Sequence, residues 1–182
     1  MDPLKKRSRQ VCTGFAVLAV AAAVTTIAPG PGRSMPIRPR IVKLSTYVNA
    51  RFCYAVSFPP ALLVPRGEAA DGDGQAFVSA DGRSKMVVWG SWNALDETVP
   101  GRYAAALADL KGCRVTDQVL HHDWFVLSGS TVHFRIFYEK QILKCDRWLG
   151  LWITYPFDER PWFDLLTARI ARSLRPTTDC WW

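Results

Sequence analysis

The chain has 182 residues, a formal net charge of +7 and 49% hydrophobic residues, with eight tryptophans and five cysteines. A body of roughly 130 residues can bury about two-thirds of its unfolded surface, so neither metal nor cofactor is needed for stability, and none is expected. The charge does not describe a nucleic-acid binder: residues 1–30 carry +3, residues 31–51 carry +5 and residues 52–182 carry −1. The folded body therefore lacks the clustered basic face that displaces counterions from phosphates, and no nucleic-acid partner is expected.

Lys5, Lys6, Arg7 and Arg9 run directly into the uncharged apolar stretch Val11–Ile27. A positive head followed by a membrane-compatible segment is the signature of export. The stretch is longer than the usual h-region of about 7–15 residues and shorter than the roughly 20 of a spanning helix. Residues 1–28 are thus read as a signal peptide or an uncleaved inner-membrane anchor, which places the body in the periplasm or outside the cell. Residues 29–45 hold Pro29, Pro31, Pro36 and Pro39 among Arg33, Arg38, Arg40 and Lys43, a Pro/Arg-rich linker. Membrane contact is expected only through the leader or this arm, whose bases suit anionic head groups or another polyanion.

Residues 46–176 read as one α+β domain, and residues 177–182 as a tail ending in Trp181-Trp182. Strand patterns fall at 52–58, 75–80, 85–90, 114–120 and 124–128. In two further strands, Val132, Phe134, Ile136 and Tyr138 alternate with His133, Arg135, Phe137 and Glu139, and Leu149, Leu151, Ile153 and Tyr155 alternate with Trp148, Gly150, Trp152 and Thr154. Asp81-Gly82 is a tight-turn signal, and short connections imply a mainly antiparallel sheet. One helix is expected over Thr98–Lys111, with Pro100 near its start and Gly112 as its stop. A second follows Pro161, with Trp162, Leu165, Leu166, Ile170 and Leu174 at helical spacing, and ends before Pro176.

The opening Tyr47-Val48-Asn49-Ala50-Arg51-Phe52-Cys53-Tyr54-Ala55-Val56-Ser57-Phe58-Pro59 resembles the start of small secreted bacterial domains related to PsbP. The turns at Asp71–Gly74 and Ser79–Gly82, and the ending Ala168–Pro176, are similar to an uncharacterised proteobacterial branch of that group. The resemblance implies an α/β/α sandwich with a mainly antiparallel sheet. It implies no catalytic residues and no photosystem. Cys53 stands where the group has a glycine.

Outside the leader lie Cys53, Cys113, Cys145 and Cys180. An even number in an oxidising compartment permits disulfides with three connectivities, and the pairing stays open. His121-His122-Asp123, with His133 across a hairpin, is the metal candidate, although strand neighbours point to opposite faces unless a turn intervenes. Asp71-Gly72-Asp73-Gly74 opens like a calcium loop but has Ala76 and Gly82 where an EF-hand needs Gly and Glu. Ser128-Gly129-Ser130 lacks the flanking glycine of a nucleophile elbow. Trp148 and Trp152 either fill the sheet–helix layer or, if helices cover only the aliphatic side, face outward as a contact patch with Arg135. The leading expectation is an exported, non-catalytic binding or accessory domain that uses Trp148, Trp152 and Arg135 to hold an envelope protein or ligand. The alternative is a periplasmic hydrolase or metal-dependent enzyme built on His121, His122, Asp123 and His133.

Overall fold

A computed structural model describes residues 42–177. The leader, most of the basic arm, Cys180 and the terminal tryptophans lie outside the described residues. Among the described residues no helix is long and apolar enough to cross a membrane.

The chain forms β1 (Ser45–Asn49), β2 (Tyr54–Phe58), β3 (Val64–Glu68), β4 (Gly74–Val78), β5 (Lys85–Trp92), α1 (Val99–Asp109), β6 (Arg114–Leu120), β7 (Trp124–Ser130), β8 (Arg135–Lys144) and β9 (Arg147–Pro156). A 3-10 turn (Phe157–Glu159), α2 (Arg160–Ser173) and the short β10 (Arg175–Pro176) complete it. A seven-stranded antiparallel sheet runs in the order β3-β4-β5-β9-β8-β7-β6, and a three-stranded sheet in the order β1-β2-β10. The fold is the antiparallel α+β arrangement expected of a PsbP-like domain. Packing begins slightly before residue 46, because Val42 and Leu44 already rest on the core.

The alternation along β9 divides the molecule into two layers. Leu149, Leu151, Ile153 and Tyr155 join Met86 and Val88 of β5 beneath α2 and the small sheet, which contribute Phe163, Leu166, Ile170, Tyr54 and Val56. Trp148 and Trp152 join Val87, Trp89, Phe125, Leu127 and Phe137 beneath α1, which contributes Val99 and Ala106. Helices therefore cover both faces, and the expectation that they cover the aliphatic side alone does not hold. The indoles are the reason: so large an apolar area on one face requires its own cover.

Local chemistry fixes the helix ends. Thr98 caps α1, its Oγ1 accepting from Gly101 N at 3.2 Å, and Pro100 sits in the first turn. Gly112, at φ +93°, turns the chain away from the helix end into β6. Helix α2 begins with Pro161 in its first turn and carries Arg172 in its last.

Two sequence expectations shift. The strand expected from Val132 begins only at Arg135, because Thr131 Oγ1 accepts from His133 N and Arg135 N and folds Thr131–Phe134 into a turn, with Phe134 at φ +54°. Cys53 is not on a strand but in the turn before β2, at φ +49°. A left-handed backbone costs a residue with a Cβ and nothing for glycine, the residue the resemblance led us to expect here.

Candidate functional site

Helix α2 crosses the aliphatic face over β9 and β8 but stops short of the sheet's β6 edge. The register puts Ile136, Tyr138 and Lys140 of β8 beside Ser130, Ser128 and Val126 of β7, with Arg114, Asp117 and Val119 of β6 beyond them. All of these point to the side on which α2 lies. Between them and the helix runs an open groove of about 880 Å³, walled on the helix side by Phe157, Arg160, Asp164, Ala168 and Arg172. Its size falls within the usual ~300–1,000 Å³ of ligand pockets.

The groove has a charge pattern. Asp117 Oδ2 accepts from Ser128 Oγ at 2.8 Å and from Thr116 Oγ1 at 3.0 Å, so two hydroxyls hold one of its oxygens. Asp164 is held by Arg160 at 3.1 Å and by the Tyr155 hydroxyl at 2.7 Å. Lys140 Nζ donates to Ala171 O at 2.8 Å, near the negative end of α2, and lies 5.8 Å from the Trp124 ring. Burial holds the Lys140 ammonium below its ordinary pKa and pushes the Tyr138 phenol up to about 12. Arg114, at one end of the groove, and Arg172, toward the other, make no hydrogen bond or ion pair among the described residues. Apolar and aromatic surface from Trp124, Val126, Ile136 and Phe157 separates these charges. Asp164 is neutralised by Arg160 while two further guanidinium groups are presented outward, so the groove suits a ligand that is both anionic and apolar.

The residues named from sequence occupy other places. Trp148 and Trp152 are 0% and 2% exposed, and the Trp148 indole donates to Asn93 Oδ1 at 3.0 Å. They fill the layer under α1 and form no surface patch. Arg135 lies on the same face, at the opposite end from Trp148. Its Nη2 donates to Arg83 O at 2.6 Å and its Nε to Thr154 Oγ1 at 3.3 Å, which ties it to the β4–β5 turn, and burial lowers its pKa. His121, His122 and Asp123 do fall in a turn, between β6 and β7, so the objection that strand neighbours diverge no longer applies. His133 sits in the β7–β8 turn, at the far end of β7, and the expected group of four is not assembled. Ser128 bonds to Asp117, not to a histidine. Asp71–Gly74 forms the β3–β4 connection, with the Asp73 carbonyl accepting from Tyr54 Oη at 3.2 Å and Gly90 N at 2.8 Å.

The cysteines are also separated by the register. Cys113 precedes Arg114 at the Ser130 end of the sheet, while Cys145 lies in the β8–β9 turn. The ten residues of β8 stand between those ends. At about 3.3 Å per residue this exceeds the ~7 Å reach of a disulfide several times over, so these two do not bridge each other.

The groove was not apparent from the sequence, where Trp124 is simply the first residue of the 124–128 strand. The available signal was the shared face of Trp124, Val126 and Ser128, which is amphipathic without a facing helix of matching length.

No protein-family model matches the chain, and no curated protein sequence matches it. Solved structures do resemble it. The solution structure of cyanobacterial PsbP (CyanoP) from Synechocystis aligns with a TM-score of 0.55 at 12% identity, covering 80% of this chain and 98% of that one. A point mutant of protein Mog1 aligns with a TM-score of 0.51 at 12% identity, covering 74% and 96% respectively. The likeness establishes the fold.

Proposed function

We propose that the protein is an exported, non-catalytic binding domain of the bacterial envelope, and that it holds an extended acidic segment of a partner protein in the groove between α2 and β6–β8. One observation carries this reading: Asp164 is paired with Arg160, while the Arg114 and Arg172 guanidinium groups stand unpaired toward the groove's two ends across an aromatic floor. Paired guanidinium groups separated by apolar surface select carboxylates spaced along a chain with apolar residues between them. The leader's basic head and apolar stretch support the envelope location.

The test is in-cell photocrosslinking from a reactive residue placed at Val119, in the groove, and separately at Leu95, which is exposed far from it. Val119 is expected to give an adduct that maps to an acidic stretch of one envelope protein and disappears in Arg114→Glu/Arg172→Glu. Both arginines are exposed, so the charge reversal is expected to change stability by no more than about 0.5 kcal/mol. An identical adduct from Leu95, or one indifferent to the charge reversal, overturns the proposal.

A further inference from the structure

The turn between β6 and β7 brings three metal-ligating side chains together in a way the groove does not require. His121 Nδ1 lies 3.1 Å from Asp123 Oδ1, and His122 Nε2 lies 3.5 Å from the same oxygen. One donor atom from each of the three residues falls within 4.8 Å of the other two. A tetrahedral ion with bonds of about 2.0–2.1 Å sets its ligand atoms roughly 3.3 Å apart. Two of the three edges thus already have the length such an ion imposes. The third needs only a rotation of the exposed His122 ring.

The turn is held from both sides. His121 N donates to Trp124 O at 2.8 Å, and Leu143 N, from β8, donates to Asp123 O at 2.7 Å. The His121 ring stacks on the Trp124 indole at 5.3 Å with an interplanar angle of 17°. His121 and Asp123 are thus held before an ion arrives, which reduces the ordering cost that weakens most surface histidine pairs.

We propose that His121, His122 and Asp123 form a binding site for a divalent transition-metal ion, coordinated by two imidazoles and one carboxylate, with its remaining position open to solvent. Two nitrogen donors select zinc, nickel or copper over calcium and magnesium, which take oxygen ligands. The exposure of all three residues makes the ion exchangeable. The site stands independently of the groove's occupant, although Trp124 belongs to both.

Trp124 supplies the readout, because an open-shell ion at this turn quenches the indole beside it. The untagged full-length protein is titrated with Ni²⁺ while tryptophan fluorescence is followed, and with Zn²⁺ in a calorimeter. One ion per chain and saturable quenching are expected. His121→Ala and Asp123→Asn are each expected to weaken binding by at least about tenfold, the lower bound for lesser perturbations of metal sites. His133→Ala is expected to leave the affinity unchanged. Trp124→Phe is expected to remove the quenching while the calorimetric affinity persists. Circular dichroism melts confirm that each variant is folded. Equal affinity in His121→Ala/His122→Ala, or an equal loss in His133→Ala, overturns the site.

Discussion

Strands β5 and β9 are covered on both faces, whereas β6, β7 and the outer part of β8 are covered on one. In the first region Trp89, Trp148 and Trp152 are closed in under α1, and the aliphatic residues opposite them are closed in under α2 and the small sheet. In the second region α1 still covers Phe125, Leu127 and Phe137, but α2 has already passed, leaving Val126, Tyr138 and Lys140 to line an open groove. The composition of the two regions follows their cover. Where both faces are shut, the few charges (Arg102, Glu139 and Arg147) are themselves buried, and the Trp89 and Trp152 indole N–H groups have no hydrogen-bond partner among the described residues. Where one is open, arginine, lysine and tryptophan share a surface. A sheet wider than the helix laid across it produces a binding groove without any specialised loop.

Four substitutions test that contrast. Trp148→Ala removes a fully buried indole and one of the two donors to Asn93 Oδ1, leaving only Glu97 N, and is expected to destabilise by about 3–5 kcal/mol. Trp124→Ala, at the groove, is expected to cost less than about 1 kcal/mol because the site remains hydrated. Urea unfolding of the two variants measures the difference directly, and equal losses would abolish the distinction between the regions.

Gly150→Ala probes how tightly the closed layer is filled. A Cβ at this position would lie 2.1 Å from the Trp89 ring, which has no room to retreat beneath α1. Overpacking of this kind costs about 1–3 kcal/mol, and the melting temperature is expected to fall accordingly.

Lys140→Met gives the smallest effect and reports on the open half through pH. Burial lowers the folded-state pKa of Lys140 below its unfolded value of about 10.4, so the charged form is penalised in the native state at neutral pH. The unfolded chain binds more protons between the two values, and wild-type stability relative to Lys140→Met therefore rises as pH climbs through that interval. Unfolding of both proteins at pH 7 and pH 10 checks the sign. A relative stability that is flat or falls toward pH 10 would show that the groove floor is fully hydrated.

Much of the architecture is legible in the chain. The period-two alternation of β9 separates an aliphatic face from a tryptophan face, and Thr98, Pro100, Gly112 and Pro176 bracket the two helices. The Thr131–Phe134 turn was not legible, because alternation of apolar residues continues through it and only the Thr131 hydroxyl, by capturing two backbone donors, breaks the strand. The candidate site was less legible still. Trp148, Trp152 and Arg135 have the right chemistry for a contact patch, yet α1 covers both indoles and the β4–β5 turn engages the guanidinium. His121, His122 and Asp123 were visible as a cluster, but their convergence on one carboxylate oxygen depends on the angle of a turn.

By itself the sequence determined the export signature, the location of the charge, the class of the fold and which residues share a strand face. These follow from local rules: hydrophobic run length, periodicity and capping chemistry depend on neighbours along the chain. Only the tertiary structure decided which face each helix covers, which tryptophans are shut in and where the sheet outruns its cover. Those outcomes depend on competition between distant surfaces for the same apolar area, and no local pattern records who wins it.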